Sequence, residues 1–563
     1  MDKSQLTQNL EPILAAFYRW EKEQANTIFL RQPYGKKWKE LTYAEVGQQA
    51  RRLCTALQRK GLQAGDHVGI LSKNCYHWII TDLALMMGDF VSVPFYASLP
   101  AAALEEVIKL SDIKLLFVGK LDEWNEEKTN VTPANLQVVK FPHYAGNASV
   151  DIGEDWEELV AGAPPLEGNT LPDLDDLWTI LFTSGTTGTP KGVMHTYRNP
   201  ALVLRIEELT NFTGTLQLKR KKWFSFLPLN HVAERIGVEA NCLANGGSIS
   251  FAESIDTFAD NLKSVQPSFI FAVPRIWTKF YQAVTSKIPA PLLSILFRIP
   301  LLGNALKKYL RKAMGLGHVE IAGTGAAITP AYLKRWYQQL GIHLIEAYGM
   351  TEVCGSICNG PQADAPADAV GSPVPFCEVK IADDNEEILM RAPYQMTGYY
   401  RSPEKTAEVL RDGWIYSGDR GTIDEQGYVR VIGRVKDAFK TSKGQFIVPN
   451  PMEEHLAQNE YLEQVCVVGL GCSQPIALVN LSPGGCNTPR KAIEDSLKQT
   501  LNGINQQLAN YHRISTIVID KINWSEANRL LTPTMKVRRA ALDEAYGEKY
   551  EQWHLAKEVV VWK

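Results

Sequence analysis

The sequence predicts an α/β protein. It would have a large N-terminal domain of doubly wound mixed sheets, a small β-barrel-like subdomain, and a small α+β C-terminal domain. Three observations predict this. Apolar runs of strand length alternate with segments of helical periodicity over roughly the first 350 residues. Residues 370–433 then change to short alternating runs separated by Gly, Pro and Asp, as in a small antiparallel sheet or barrel. Beyond 434 the α+β pattern restarts, with strands at 465–468, 476–481 and 516–519 and a helix over 490–509. The 563 residues exceed one ordinary core, and a hydrophobic content of 45% supplies several. The expected domains are 1–433 and 434–563, meeting near Lys436, with 370–433 as the subdomain.

Taken in order, residues 10–21 carry apolar positions at helical spacing. Thr42 and Glu45 form the pattern of a capping box for a helix through Leu57. A turn over 61–66 leads into a buried strand at 68–71, a helix at 82–87 and a strand at 91–95. A helix at 105–110 and a strand at 114–118 repeat the unit. Strands follow at 178–182, 192–194, 223–230, 248–251, 269–274 and 319–322. Residues 195–199 lead to a helix through Leu209, and helices are expected over 232–243 and over 330–340.

Composition excludes several classes of function. A formal net charge of −3 gives no basic excess with which to neutralise nucleic acid. The nine cysteines include no C-x-x-C pair, which argues against a zinc site or dithiol centre and suits a reducing compartment. The opening 24 residues carry early charges and no apolar signal core, and no apolar run is long enough to span a bilayer. The expectation is a cytoplasmic protein. Residues 287–318 stand apart: they hold three prolines, long apolar runs and basic charges only, namely Lys287, Arg298, Lys307, Lys308, Arg311 and Lys312. Two readings fit, a helix pair with a solvated basic face or an amphipathic element in peripheral contact with an anionic membrane.

The chemistry centres on 178–192. An apolar strand runs into Thr183, Ser184, Gly185, Thr186, Thr187, Gly188, Thr189, Pro190, Lys191 and Gly192. Glycines let backbone approach a ligand closely, successive N–H groups form an anion nest, and hydroxyls and one lysine add donors and charge. These are the requirements for wrapping a pyrophosphate. The order is not that of a Walker A loop, which needs Gly, four residues, then Gly-Lys-Ser/Thr. It resembles the phosphate loop of the AMP-forming adenylating enzymes, a family of acyl-CoA synthetases, peptide-synthetase adenylation domains and luciferases.

Three further strings line up with ATP as the ligand. In Tyr348-Gly349-Met350-Thr351-Glu352, the carboxylate of Glu352 suits Mg²⁺, which takes oxygen from a carboxylate and from phosphates. Thr351 is placed to donate to the α-phosphate and Tyr348 to stack on adenine. In Tyr416-Ser417-Gly418-Asp419-Arg420-Gly421, Asp419 can accept from ribose hydroxyls. The last string is Gly433-Arg434-Val435-Lys436-Asp437, followed by Lys443-Gly444.

With these strings the chain looks like an acyl-CoA synthetase of the adenylate-forming family, in its long-chain or bubblegum-type version. The resemblance implies a fatty acid:CoA ligase that converts acid and ATP to acyl-AMP and pyrophosphate, then transfers the acyl group to CoA. A ligase for an aromatic acid or a carrier-protein acceptor is the alternative. The resemblance further implies that Gly325, Ala326 and the segment Glu346, Ala347, Tyr348, Gly349, Thr351 hold adenine and the α-phosphate. Thr183 and Glu352 would serve the metal, and Asp419 and Arg434 the ribose. Lys436 would be the hinge of a mobile C-terminal domain, and Lys443 and Gly444 would face CoA. Lys536, in Leu530-Leu531-Thr532-Pro533-Thr534-Met535-Lys536, would be the essential lysine neutralising charge on the phosphate under attack. His231, in Pro228-Leu229-Asn230-His231-Val232-Ala233-Glu234-Arg235, would border the reacting carboxylate or cap the helix that follows.

Overall fold

A computed structural model describes residues 3–183, 190–360, 365–510, 512–526, 528–532, 536–556 and 558–563. The chain divides into two compact units. The first takes 1–379, 389–416 and 425–429, and the second 380–388, 417–424 and 430–563.

Among the described residues the first unit contains two mixed sheets. One has nine strands in the order Ser372–Pro373, Cys358–Asn359, Leu344–Tyr348, Ile321–Gly325, Phe269–Ala272, Lys222–Ser225, Ser248–Phe251, Ile28–Tyr34, Lys37–Thr42. The run from Leu344–Tyr348 to Ile28–Tyr34 is parallel, with antiparallel pairs at both edges. The other has eight strands in the order Gly398–Tyr399, Lys191–Thr196, Leu177–Thr183, Val91–Phe95, His67–Leu71, Leu115–Val118, Gln137–Lys140, Glu154–Asp155. It is parallel from Leu177–Thr183 onward. Central strands such as Val91–Phe95, Leu115–Val118 and Ile321–Gly325 are buried along their whole length, as strands covered on both faces in a doubly wound α/β fold are.

The helices follow local chemistry. Tyr43–Arg59 begins with the capping box: Thr42 Oγ1 accepts from Glu45 N–H and the Glu45 carboxylate accepts from Thr42 N–H. Tyr76–Met87 starts earlier than its periodicity suggests. It is buried along its whole length, so no polar face marks it in the sequence. The strand expected over 223–230 ends at Ser225, because the segment beyond it is held in a loop by Asn74. The helix expected over 232–243 is continuous in direction but mixed in kind: Val232–Glu234 is α, Arg235–Ala240 is π and Asn241–Asn245 is α. Residues 287–318 contain the helices Ala290–Leu296 and Leu302–Ala313; their Leu293 and Leu310, with Phe297 just past the first, join the core around Trp277 and Trp336.

In the second unit, Leu462–Val468, Ile476–Leu481, Ile517–Ile519 and Val560–Trp562 form a four-stranded sheet in that order. The helix Arg490–Gln507 buries Ile493, Leu497, Leu501 and Ile504 in the core formed with that sheet. A separate five-stranded sheet is formed by residues 378–434, whose strands fall in part in each unit.

Candidate active site

In open α/β sheets, ligands bind beyond the carboxyl ends of the strands. In the first unit, the candidates Thr183, Gly325, Ala326, Tyr348, Gly349, Thr351 and Glu352 all sit at such ends. Thr183 ends Leu177–Thr183, which pairs antiparallel with Lys191–Thr196, opposing Thr183 to Lys191. The strand expected at 192–194 is thus the return arm of a hairpin. Ser184, Gly185, Thr186, Thr187 and Gly188, at its tip, lie outside the described residues.

Ile321–Gly325 lies beside Leu344–Tyr348, with Gly325 opposite Ala347. A Cβ at Gly325 would come within 2.4 Å of the Ala347 carbonyl oxygen, so only glycine fits there. Ala326 follows with φ +63°, a conformation a non-glycine residue adopts at a cost and one that recurs at ligand sites. At Gly349 a Cβ would lie 2.0 Å from the Gly355 carbonyl oxygen; this close approach folds 348–355 back on itself.

Thr351 and Glu352, which follow a strand of the nine-stranded sheet, are held by His195 and Tyr399 of the eight-stranded one and by Met396 just before Gly398–Tyr399. His195 Nε2 lies 2.7 Å from the Thr351 carbonyl oxygen. Met396 N–H donates to the Glu352 carbonyl at 2.8 Å. The Tyr399 hydroxyl donates to Glu352 Oε1 at 2.6 Å. The hairpin that brackets the threonine-rich loop and the Glu352 segment are therefore fixed to each other.

Glu346 differs from the other candidates. Its buried carboxylate is ion-paired with Lys334 and accepts from Thr329 N–H at 2.8 Å. Burial raises its pKa and Lys334 opposes the shift. Its protein partners tie the strand end to 329–334.

His231 is the N-cap of Val232–Glu234, its Nδ1 accepting from Ala233 N–H at 3.2 Å. The segment around it is anchored by groups the sequence did not single out. Asn74 donates to the Leu227 carbonyl at 2.6 Å and accepts from Leu229 N–H at 3.0 Å. Glu234 accepts from Ser225 Oγ at 2.7 Å and Phe226 N–H at 3.0 Å, and burial pushes its pKa up to about 8. Arg235, fully buried, bonds Asp82 at 2.5 Å and Thr179 Oγ1 at 2.9 Å, with its guanidinium 4.1 Å from the Trp178 ring centre.

The second unit brings three distant candidates together. Arg434 Nε lies 3.1 Å from Asp419 Oδ1, and Arg434 Nη1 donates to the Ser417 carbonyl at 3.1 Å. Lys536 shares their electrostatic field. Removal from water and then the like charge of Arg434 lower its pKa, while Asp419 opposes them. Both backbone groups of Lys536 are bonded to Thr532: Thr532 N–H donates to the Lys536 carbonyl at 2.8 Å and Lys536 N–H to Thr532 Oγ1 at 3.0 Å. Lys436 is exposed in the turn Val435–Asp437, lining a cavity of about 410 Å³ with Asp437, Phe439, Phe446 and Arg539. Lys443 and Gly444 lie in an exposed turn between Phe439–Lys440 and Phe446–Ile447.

Sequence and structure comparisons agree with this architecture. The model of the AMP-binding enzyme family matches residues 17–400, and that of the AMP-binding enzyme C-terminal domain matches 436–557. The chain is 27% identical to long-chain-fatty-acid–CoA ligase FadD15 of Mycobacterium bovis, over 96% of each chain. It is also 27% identical to long-chain-fatty-acid–CoA ligase 6 of Rattus norvegicus, over 92% of this chain and 83% of the relative. Among solved structures, the adenylation domain of a carboxylate reductase from Mycobacterium chelonae superposes with a TM-score of 0.80 at 20% identity, covering 98% of this chain and 92% of the other. The anthranilate CoA ligase AuaEII in complex with anthranoyl-AMP gives 0.75 at 19% identity, over 97% and 99%. The fold is the adenylate-forming α/β fold, and the chain belongs to the AMP-binding enzyme family.

Proposed function

We propose that this enzyme is a long-chain fatty acid:CoA ligase. It would activate the acid with ATP to acyl-AMP and pyrophosphate, then transfer the acyl group to the CoA thiol. The observation that carries the substrate class is near full-length similarity to two relatives named for long-chain fatty acids.

In this reading Thr183, Ser184, Gly185, Thr186, Thr187, Gly188 and Lys191 bind the ATP phosphates. Gly325, Ala326, Ala347, Tyr348 and Gly349 bind adenine, with Glu346 bracing their strand. Thr351 donates to the α-phosphate, Asp419 and Arg434 hold the ribose, and His231 borders the acid. Lys536, on a C-terminal domain of residues 434–563, neutralises charge at the α-phosphate. Lys436 is the hinge by which that domain changes task, and Lys443 and Gly444 face CoA.

Mg²⁺ fits Thr183 and Glu352. The Glu352 carboxylate is buried and, among the described residues, bonded only by the Tyr399 hydroxyl, with no cation paired to it. A single uncompensated carboxylate suits an ion that takes its remaining oxygens from phosphates and water. When bound, the ion would neutralise phosphate charge.

The test is a panel of acids of increasing chain length, with AMP and acyl-CoA both quantified. CoA-dependent AMP release peaking on long-chain acids is expected. A peak on aromatic acids, or acyl-AMP formed without thioester, would replace this reading with its alternative.

Among the described residues no helix is long and apolar enough to cross a membrane. We propose instead that the face of 287–318 rests on an anionic membrane surface. Support comes from exposed Leu292, Ile295, Ile299, Leu301 and Leu302 on a stretch whose only charges are basic. Cosedimentation with vesicles containing phosphatidylglycerol should exceed that with neutral vesicles and fall for Leu301→Asp. Equal recovery with both vesicle types would sink the idea.

A further inference from the structure

The Tyr399 phenol touches both arms of the phosphate end of the first unit. Its hydroxyl donates to Glu352 Oε1 at 2.6 Å. Its ring lies under the Lys191 ammonium, 5.0 Å from Nζ to the ring centre. Its backbone is fixed independently of either group. Gly398–Tyr399 pairs antiparallel with Lys191–Thr196, opposing Tyr399 to Val193, and Tyr399 N–H donates to Thr406 Oγ1 at 2.9 Å. The residue is 3% exposed. One rigid aromatic ring thus sits between the lysine that closes the phosphate loop and the carboxylate offered to the metal.

We propose that Tyr399 is a positioning residue for both. Its hydroxyl ties down one oxygen of Glu352 and so leaves the other for the metal, while its π face holds the Lys191 ammonium on the phosphate side. This rests on the reading of Glu352 as a metal-binding carboxylate.

The physical case has two parts. A carboxylate free to rotate about its terminal bond offers either oxygen in many orientations, and ordering it on binding costs entropy. A short hydrogen bond from a buried phenol removes that freedom beforehand. The ring, for its part, stabilises an ammonium without neutralising it. A carboxylate in the same position would pair with Lys191 and compete with phosphate; an aromatic face holds the cation and leaves its charge available.

The two functions separate by substitution. Tyr399→Phe keeps the ring and loses the hydroxyl. Tyr399→Leu loses both. The readouts are equilibrium binding to the full-length protein without acid substrate: Mn²⁺ affinity in the presence of ATP by electron paramagnetic resonance, and metal-free ATP affinity by calorimetry. Thermal melts serve as the folding control. Tyr399→Phe should weaken Mn²⁺ binding about tenfold, the scale of a hydrogen bond to a charged group, and leave metal-free ATP binding within twofold. Tyr399→Leu should weaken both. Glu352→Gln is the reference. If Glu352→Gln weakens Mn²⁺ binding and folded Tyr399→Phe does not, Tyr399 has no positioning role. If Glu352→Gln leaves Mn²⁺ binding unchanged, the metal reading of Glu352 fails and takes the inference with it. A lower melting temperature in Tyr399→Phe with Mn²⁺ affinity intact would mark the contact as structural only and overturn the proposal.

Discussion

His195 Nε2 lies 2.7 Å from the carbonyl oxygen of Thr351. A carbonyl only accepts, so Nε2 carries the proton and donates it. His195 is wholly buried, and burial holds its pKa down at about 4, more than the bond to Thr351 raises it. The ring is therefore neutral at physiological pH, and it braces the Thr351–Glu352 turn from the neighbouring sheet.

The stability consequence has a definite sign. The unfolded chain takes up a proton at this histidine near the ordinary histidine value of ~6.5, while the native state resists until about pH 4. The contribution is present above ~6.5 and is lost as pH falls toward 4. Denaturant titrations between pH 4 and 7.5 should show wild type losing stability through this window. His195→Gln should flatten that slope, since an amide can still donate to the carbonyl but does not titrate. An unchanged slope would show that His195 is not the group responsible.

Glu234 makes the opposite prediction. Its carboxyl accepts from Ser225 and Phe226, yet burial outweighs both and raises its pKa from 4.5 to about 8. As pH rises from about 4.5, the unfolded chain ionises and the native state does not, so stability falls up to about pH 8. Every tenfold difference in proton affinity between the native and unfolded states is worth about 1.4 kcal/mol. Glu234→Gln keeps both acceptor contacts and removes the titration. It should gain stability relative to wild type as pH rises through this window. A constant difference between the two proteins at every pH would show that Glu234 is ionised in the fold.

How much of this was legible in the sequence depends on how local each signal is. The Thr42–Glu45 capping box lies within four residues, and it formed as read. The hairpin around the threonine-rich loop could be located, but its antiparallel return could not be told from one more parallel strand. Both give the same short apolar run, and only the pairing distinguishes them. Tyr399, His195 and Asn74 carry no local signal for another reason. The first two act on residues 47 and 156 positions away, and Asn74 on a segment 153 positions away. No periodicity marks such partners, and a tyrosine in a strand reads as packing. The π-helical stretch Arg235–Ala240 is invisible in the same way. It shares its apolar spacing with an α-helix, and what accompanies it is a buried ion pair with Asp82, more than 150 residues earlier. Asp419 and Arg434 were readable because each stands in its own short glycine-marked string, although nothing in either string said that they touch.

That Asp419–Arg434 contact leads to the next prediction. The Arg434 side chain is 45% exposed, so the pair is worth no more than about 1 kcal/mol to folding. If both residues hold the ribose, their value lies in binding. Asp419→Ala should leave the melting temperature within a few degrees of wild type and raise the ATP KM at least tenfold. A large fall in melting temperature with an unchanged KM would make the pair a structural link of the second unit.

The last prediction concerns Lys536. Its ammonium lies in the field of Arg434, which repels it, and of Asp419, which attracts it. Removal from water and the repulsion of Arg434 outweigh the attraction of Asp419 and lower its pKa, and its backbone N–H and carbonyl are both bonded to Thr532. A locked backbone with a long flexible side chain suits a group that must reach an oxygen where charge builds during attack. Neutralising such charge by one positioned donor is worth about 10²–10³ in rate. Lys536→Ala should therefore slow acyl-AMP formation by about that factor, while the reaction of supplied acyl-AMP with CoA continues near the wild-type rate. The two half-reactions are read separately, the first by pyrophosphate exchange and the second by thioester formed from synthetic adenylate. An equal loss in both would show that Lys536 supports the fold or a shared binding step. A loss confined to thioester formation would move its role from the phosphate to CoA.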